Sequence, residues 1–125
     1  MTLSIMDKVK AAKAVVPEIT AEEALKLHGQ EGVVFIDVRD APEIAKTGKV
    51  AGAWNVSRGV LEFKADHNSP MYNDDFDDAK KIILYCATGA RAALSGLALK
   101  ELGYDDVVSM NSISFWLDAD GPVET

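Results

Sequence analysis

The sequence has few of the cysteines and histidines that stabilise disulfide-rich or metal-dependent domains. It has one cysteine, Cys86, and two histidines, His28 and His67, among 125 residues. A single cysteine cannot form an internal disulfide, and the two histidines are too far apart in sequence for the ligand spacing of a structural zinc site. We therefore expect no disulfide framework and no metal site.

Positive charge is also scarce, and long hydrophobic runs are missing. Thirteen lysines and arginines stand against twenty aspartates and glutamates, which gives a formal net charge of −7. Such a surface binds phosphates poorly, so nucleic acid is not an expected partner. Residues 1–16 mix lysines with apolar side chains, and no segment reaches the roughly 20 apolar residues of a membrane span. We expect no membrane contact, a cytoplasmic location and a reduced thiol.

What the sequence does contain is the composition of one globular domain. Hydrophobic residues make up 48% of the chain and charged residues 26%, which suffices for a single buried core. Apolar residues recur at every third position from Leu3 to Ala12 and predict an amphipathic helix that ends before Pro17. This first helix is expected to pack as an N-terminal extension.

Two continuous apolar runs rich in β-branched residues, 33–38 and 81–86, predict strands that are covered on both faces. Other signals predict a capped helix over 20–27, a short helix after Pro42, a small strand over 53–56, a helix over 91–102, a short strand at 107–108 and a helical turn at 115–116. The helix over 91–102 is expected to bury Leu94, Leu97, Ala98 and Leu102. This order predicts a doubly wound α/β fold, with a central parallel sheet flanked by helices.

The segment 86–91, Cys-Ala-Thr-Gly-Ala-Arg, joins one of these strands to the helix that follows it. Its small side chains and Gly89 allow successive amides to point inward, which is how a backbone cradles an anion. The positive end of the helix and the guanidinium of Arg91 favour the thiolate of Cys86 over the thiol. The alternative for such a cysteine is a small buried hydrophobic side chain. Strand, glycine loop, arginine and helix together favour a reactive thiol that is largely anionic at neutral pH.

Four segments, in this order, resemble those of one family. FIDVRD (35–40) is similar to a strand end with Asp-x-Arg, GKVAGAWNV (48–56) to a Gly-His-Ile-Pro-Gly-Ala-x-Asn segment, YCATGARA (85–92) to an active-site loop, and LGYDDV (102–107) with Trp116 and GPV (121–123) to a closing portion. The chain thus resembles a single-domain rhodanese-like sulfurtransferase. The resemblance implies a rhodanese-like domain over 17–125, a helical extension over 1–16, and no cofactor.

The resemblance also implies a two-step sulfur transfer through Cys86. A donor such as thiosulfate would give its sulfane sulfur to Cys86, and the persulfide would pass it to a thiol, to cyanide or to a sulfur-relay protein. The active-site loop would consist of Ala87, Thr88, Gly89, Ala90 and Arg91. Arg39 and Arg91, with Arg58 at the rim, are the expected substrate-binding residues, and Asp37 is expected to be structural. The competing interpretation of the arginines is a structural ion pair or, for Arg58, solvation.

The sequence departs from the family pattern at several positions. Lys49 and Ala51 replace the usual His and Pro, which changes local packing. Asn111–Ser112 stands where a Gly-Gly pair is common, so we expect a reshaped pocket wall. Residues 57–80 form a longer excursion, and six acidic and three basic residues from Glu62 to Lys81 give a local charge of −3. We expect this excursion to be a solvated flap near the site.

Two other kinds of function are open at this point. Cysteine-dependent phosphatases and arsenate reductases of the same fold also place a cysteine and an arginine around an anion loop. Their loop has one residue more than the four that separate Cys86 from Arg91, and the smaller ring favours one sulfur atom over a tetrahedral oxyanion. The other alternative is a non-catalytic rhodanese-like module for protein interaction, or a sulfur carrier loaded only by a partner protein.

Overall fold

A computed structural model describes residues 2–125 of the chain. The strands are β1 (Val33–Asp37), β2 (Lys49–Val50), β3 (Trp54–Asn55), β4 (Lys81–Cys86), β5 (Val107–Ser112) and β6 (Val123–Glu124). The helices are α1 (Ile5–Val15), α2 (Ala21–Leu27), α3 (Ala41–Thr47), α4 (Leu61–Ala65), α5 (Ala90–Glu101) and α6 (Ile113–Asp118), with a 3₁₀ helix at Asp74–Asp78. Within residues 2–125, no helix has both the length and the apolar character needed to cross a membrane.

The central sheet is parallel, with the strand order β3-β1-β4-β5. β1 and β4 pair from Val33 opposite Lys81 to Asp37 opposite Tyr85. Their carboxyl ends therefore meet at the same edge of the sheet, where ligands bind in open α/β folds. β2 and β6 form a separate antiparallel pair. The predicted α/β fold with a central parallel sheet flanked by helices is confirmed.

Both faces of the sheet are covered, which explains why its two central strands are continuous apolar runs. One face packs against α4 and α5 and includes Ile36, Leu84, Cys86, Leu61 and Leu99. The other face packs against α2 and α6 and includes Phe35, Ile83, Tyr85, Met110 and Trp116. Neighbouring residues of a strand point to opposite faces, so the last residue of β4 directs its side chain toward the α4–α5 side.

The predicted N-terminal helix is confirmed as α1, which packs on α5. Its buried residues are Val9 and Ala12, while Leu3 stays exposed. A Cβ atom on Gly96 of α5 would lie 2.8 Å from the methyl groups of Val16. Glycine at this position therefore allows the chain after α1 to approach α5 closely. The division of the chain into an extension over 1–16 and a domain over 17–125 stays a prediction.

The expectation of a solvated flap over residues 57–80 is wrong. Leu61 and Ala65 of α4 are fully buried, and Phe76 of the 3₁₀ helix is 2% exposed. These side chains belong to the same hydrophobic core as β1 and β4. The acidic residues of the segment mask this pattern in the sequence, because they occupy the solvent side of short helices whose other side is apolar.

The predicted buried face of α5 is confirmed at Ala98 and wrong at the three leucines. The residues that α5 buries are Ala92, Ala93, Ser95, Gly96, Ala98 and Leu99. Leu94 and Leu97 are half-buried, and Leu102 lies at the exposed end of the helix. The sheet packs against one side of α5, and α1 packs against another side. Small side chains on α5 let both neighbours approach closely, so they are buried in preference to leucines.

Candidate active site

The thiol of Cys86 lies at the carboxyl end of β4, between the neighbouring strands β1 and β5. Its side chain has an exposed fraction of 0%. The backbone N–H of Gly89 donates a hydrogen bond to its Sγ atom at 3.0 Å. An N–H donor aimed at sulfur stabilises negative charge there, whereas burial disfavours it. The geometry therefore combines a buried position with a contact that suits the thiolate.

The connection from Cys86 to α5 consists of Ala87–Gly89, because Ala90 is already helical, one residue earlier than predicted. Gly89 has a φ of 100°, a left-handed conformation that glycine adopts without strain. A Cβ atom at this position would also lie 2.8 Å from Oδ1 of Asn111. The amides of the first helical turn have no acceptor within the helix, so the positive end of α5 lies beside the loop.

Arg91, in the first turn of α5, pairs with Glu43 of α3. Its Nη1 and Nη2 atoms donate to the two carboxylate oxygens at 2.8 Å and 2.7 Å. The backbone N–H of Asp40 donates to the same carboxylate at 3.0 Å. The Arg91 hydrogen bonds and then the Asp40 hydrogen bond lower the pKa of Glu43 to about 2. The pairing raises the pKa of Arg91, and negative charge on Cys86 raises it further, so the guanidinium lies within electrostatic reach of the thiol.

Arg39 lies beneath the surface, with an exposed fraction of 1%. Its Nε and Nη2 atoms donate to the carboxylate of Asp37 at 3.0 Å and 2.7 Å. Its remaining contacts go to Oγ1 of Thr47 and to the carbonyl of Gly48. The expectation that Arg39 contacts an anionic donor is therefore wrong, because a buried ion pair and its neighbours occupy the guanidinium. Asp37 also accepts the backbone N–H of Arg39 at 3.0 Å, a contact that fits the structural role expected for it.

Arg58 pairs with Glu62 at 2.8 Å. Its side chain lines a groove of about 400 Å³ together with residues of α1 and the later turns of α5, among them Asp7 and Leu97. None of the residues 86–91 lines this groove. The structure places Arg58 in a surface ion pair on this groove, and its expected place at the rim of the cysteine pocket stays a prediction.

The wall opposite the loop is formed by Asn111 and Ser112 at the end of β5. Asn111 has a φ of 67°, so it adopts the left-handed conformation that a glycine would adopt there without strain. Oγ of Ser112 donates a hydrogen bond to the carbonyl of Ala87 at 2.6 Å. The wall therefore carries polar side chains where a Gly-Gly pair would have none. The hydrogen bond from Ser112 connects the loop to β5.

Two residues of the site were not singled out from the sequence. Glu43 holds Arg91, and its signal was the spacing of Asp40 and Glu43, which is that of a helix capping box. Asn55 donates from Nδ2 to the carbonyls of Asp37 and Arg39 at 3.1 Å and 2.9 Å. Its signal was its place within the small predicted strand over 53–56. Neither signal by itself indicates which groups of another element the side chain will contact.

A cavity of about 470 Å³ lies on the other side of Asn111, between α6 and the start of α2. The charged side chains that line it are Glu18, Glu22 and Asp118, and Phe115 adds an exposed ring. Three carboxylates and no lysine or arginine in the lining make it unsuited to an anion. Cys86 is not among its lining residues, so the candidate active site is the loop 86–91.

Solved structures share this fold. A protein of unknown function from Rhodopseudomonas palustris, described as a possible tyrosine phosphatase, is 34% identical with a TM-score of 0.91, over 99% of this chain and 96% of that one. The polysulfide-sulfur transferase homodimer of Wolinella succinogenes is 28% identical with a TM-score of 0.70, over 94% and 84% of the two chains. A thiosulfate sulfurtransferase from Pseudomonas aeruginosa is 20% identical with a TM-score of 0.71, over 87% of this chain and 19% of that one.

Among curated proteins none matches the chain. The family model of the rhodanese-like domain matches residues 20–117, a range that contains β1, the loop 86–91 and the wall at the end of β5. The match therefore includes every part of the candidate site described above. The chain belongs to the rhodanese-like domain family.

Proposed function

We propose that the protein is a sulfurtransferase that carries a sulfane sulfur as a persulfide on Cys86. The observation that carries the proposal is the 3.0 Å hydrogen bond from the Gly89 backbone N–H to Sγ of Cys86, at the N-terminal end of α5. An amide and a helix terminus at this point favour a negative sulfur, first as the thiolate and then as the persulfide anion. The similarity to a polysulfide-sulfur transferase supports the same chemistry.

In the first step the thiolate of Cys86 attacks the sulfane sulfur of a donor such as thiosulfate. A new S–S bond forms to Cys86 while the S–S bond of thiosulfate breaks, and sulfite leaves with the electron pair. In the second step cyanide or an acceptor thiolate attacks the outer sulfur of the persulfide. Thiocyanate or a new persulfide is released, and Cys86 leaves as the thiolate. Neither step requires an outside oxidant or reductant.

Transfer requires that the donor reaches a thiol with an exposed fraction of 0%. The loop beside it presents the small exposed side chains of Ala87 and Thr88. The Ala87 carbonyl accepts one side-chain hydrogen bond, from Ser112. We infer that this part of the loop moves when the donor binds, while Gly89 keeps its contact with the sulfur.

Hydrolysis of phosphate esters is the second candidate, because a protein 34% identical to the chain is described as a possible tyrosine phosphatase. The loop size argues against it. Four residues separate Cys86 from Arg91, and Ala90 and Arg91 already belong to α5. A short ring of amides suits one sulfur atom better than a tetrahedral phosphoryl group, for which donors must be placed to within about 1 Å.

The expected partners follow from the same chemistry. They are a small sulfur donor, a thiol or cyanide acceptor and, in a relay, a second protein that carries sulfur. We propose a cytoplasmic location, because a reducing compartment keeps the thiol of Cys86 in the reduced form that the first step needs. A module that only binds other proteins would need none of the contacts that surround Sγ.

The decisive experiment is the intact mass of the reduced protein before and after incubation with excess thiosulfate. We expect a gain of one sulfur atom that is lost again on addition of cyanide or a reducing thiol. Since Cys86 is the only cysteine, the added sulfur can be assigned to it without mapping. The variant Cys86→Ser, which preserves the size of the side chain, should fold and gain no mass.

Two results would contradict the proposal. One is an unchanged mass in the native protein with a large excess of thiosulfate and also with a large excess of an alkyl hydropersulfide, which would leave Cys86 as a buried structural side chain or the domain as an interaction module. The other is hydrolysis of an aryl phosphate that depends on Cys86 and proceeds at a rate comparable with sulfur transfer. That rate would establish the phosphatase function in place of sulfur transfer.

A further inference from the structure

All three arginines of the chain are paired with a carboxylate. Arg39 pairs with Asp37 at 2.7 Å, Arg58 with Glu62 at 2.8 Å and Arg91 with Glu43 at 2.7 Å. Of the three, only Arg91 belongs to the loop 86–91 that holds Cys86. The site therefore offers a donor one guanidinium, and a carboxylate already accepts hydrogen bonds from both of its terminal nitrogens.

Within residues 2–125, no lysine or arginine other than Arg91 forms a side-chain hydrogen bond or ion pair next to Cys86 in the loop 86–91. The loop residues between Cys86 and Arg91 are uncharged. The cavity beyond Asn111 is lined by the carboxylates of Glu18, Glu22 and Asp118. The chain as a whole carries a formal charge of −7, which further disfavours the approach of anions. Positive potential at Sγ comes mainly from the Gly89 amide and the end of α5, which are partial charges.

Possible donors differ in the charge that they bring to the thiolate. Thiosulfate carries two negative charges and releases sulfite with two. A hydropersulfide, R–S–SH, carries at most one. The thiolate of Cys86 attacks the outer sulfur of the hydropersulfide. A bond from Cys86 to that sulfur forms, the S–S bond of the hydropersulfide breaks, and R–S⁻ leaves with the electron pair. The proton stays on the transferred sulfur. This step requires far less compensating positive charge than transfer from thiosulfate.

We propose that Glu43 is a specificity-determining residue, which neutralises Arg91 beside the Cys86 loop and thereby selects hydropersulfides over dianionic donors such as thiosulfate. The inference rests on the proposed sulfur transfer and adds the class of donor to it. Glu43 is suited to this role because its carboxylate is held at two points, by Arg91 and by the Asp40 backbone N–H. The hydrogen bonds that lower its pKa to about 2 keep it negative at any pH at which the enzyme would work.

The test is the ratio of KM values for two donors, thiosulfate and the hydropersulfide of 2-mercaptoethanol, in the full chain and in Glu43→Gln. Glutamine keeps an oxygen for the Asp40 N–H, since Gln also serves in a capping box, and removes the charge together with one acceptor for Arg91. We expect the KM for thiosulfate to fall about tenfold, because no carboxylate then compensates the charge of Arg91. The KM for the hydropersulfide should change by less than about twofold.

Asp106→Asn is the matched control. It removes one negative charge and an exposed ion pair, that of Lys81 with Asp106 at 3.0 Å. Lys81 begins β4 and Cys86 ends it, so this pair lies roughly 16 Å along the strand from the thiol. The two KM values should be unchanged in this variant. A fall in the thiosulfate KM there equal to that in Glu43→Gln would show that net charge alone acts and would overturn the inference.

A second readout tests the charge at Sγ without sulfur transfer. Cys86 is alkylated with iodoacetate, which carries one negative charge, and with iodoacetamide, which carries none. The iodoacetate-to-iodoacetamide rate ratio should rise about threefold in Glu43→Gln, the square root of the effect on a dianion. If neither thiosulfate nor the hydropersulfide loads sulfur, the proposed function fails, yet this ratio still reports on Glu43. If sulfur is transferred and both ratios are unchanged, the inference on Glu43 fails alone.

Discussion

Two arginine–carboxylate pairs lie near the carboxyl edge of the sheet, and they differ in almost every respect except their chemistry. Arg39 and Asp37 are two residues apart, and their side chains are 2% and 0% exposed. Arg91 and Glu43 come from different helices, and each side chain is 35% exposed. The first pair joins β1 to the turn after α3, while the second joins α3 to the helix that follows the cysteine loop.

An arginine near an anion loop is therefore not by itself an anion-binding residue. A buried pair is costly to break, because the remaining charge has no water to solvate it. A half-exposed pair contributes little to stability, because water and salt screen it. The buried pair should therefore act on the stability of the domain, and the exposed pair on the charge that a substrate meets.

The largest effect should come from breaking the buried pair. Asp37→Ala leaves the guanidinium of Arg39 buried without its carboxylate and removes the acceptor of the Arg39 backbone N–H. We expect the free energy of unfolding to fall by about 3–5 kcal/mol, measured by urea unfolding. Replacing both partners, with Asp37→Leu and Arg39→Met, should cost less than the single change, since no buried charge is left. A loss below about 1 kcal/mol in Asp37→Ala would remove the distinction between the two pairs.

A smaller effect on stability but a clear effect on reactivity is expected for the exposed pair. Arg91→Ala should lower the free energy of unfolding by about 1 kcal/mol or less. The same change leaves the Glu43 carboxylate uncompensated near the thiolate, so kcat/KM for sulfur transfer should fall roughly 10- to 100-fold. Both quantities are measured on one preparation, by urea unfolding and by thiocyanate formation.

The double variant Arg91→Ala with Glu43→Gln sharpens this second prediction. Because it removes the uncompensated carboxylate as well, it should recover part of the activity that Arg91→Ala loses. If the double variant is no more active than Arg91→Ala, the charge of Glu43 does not act on the thiol. A loss of stability in Arg91→Ala as large as that in Asp37→Ala would instead make this pair structural.

The sequence predicted the elements whose signals are local. The two central strands are continuous apolar runs, and Thr20 with Glu23 forms the predicted capping box at α2. The connection between β4 and α5 was predicted to within one residue, because a glycine between a buried strand and a helix has few structural alternatives. In each of these cases the relevant contacts are made by residues close together in the chain.

The predictions that failed depended on contacts between distant segments. Phe76 looked solvated among acids, yet its ring packs against Trp54 and Tyr104, with ring centroids 5.2 Å and 5.8 Å away. The partner of Arg91 lies 48 positions earlier in the chain, and no periodicity or spacing connects the two. Arg39 looked like a substrate contact because its motif ends a strand, but the turn after α3 covers it. Tertiary packing determines the burial and the partners of such residues, and neither can be predicted from composition.

The smallest expected effect is the change that acid makes in the stability contributed by the Arg91–Glu43 pair. The hydrogen bonds from Arg91, and then that from Asp40, lower the pKa of Glu43 from 4.5 to about 2. A carboxylate whose folded pKa is depressed adds stability that is fully present above the unfolded value and is lost as the pH falls through the folded value. Wild-type protein should therefore lose slightly more stability than Glu43→Gln between about pH 5 and pH 2. Because the side chain is 35% exposed, the difference should be roughly half a kcal/mol or less and should shrink in high salt. Urea unfolding of both proteins across this range measures it. A difference that persists unchanged in salt would mean that the Arg91–Glu43 pair is shielded from water like the Arg39–Asp37 pair, and the two would then differ in position alone.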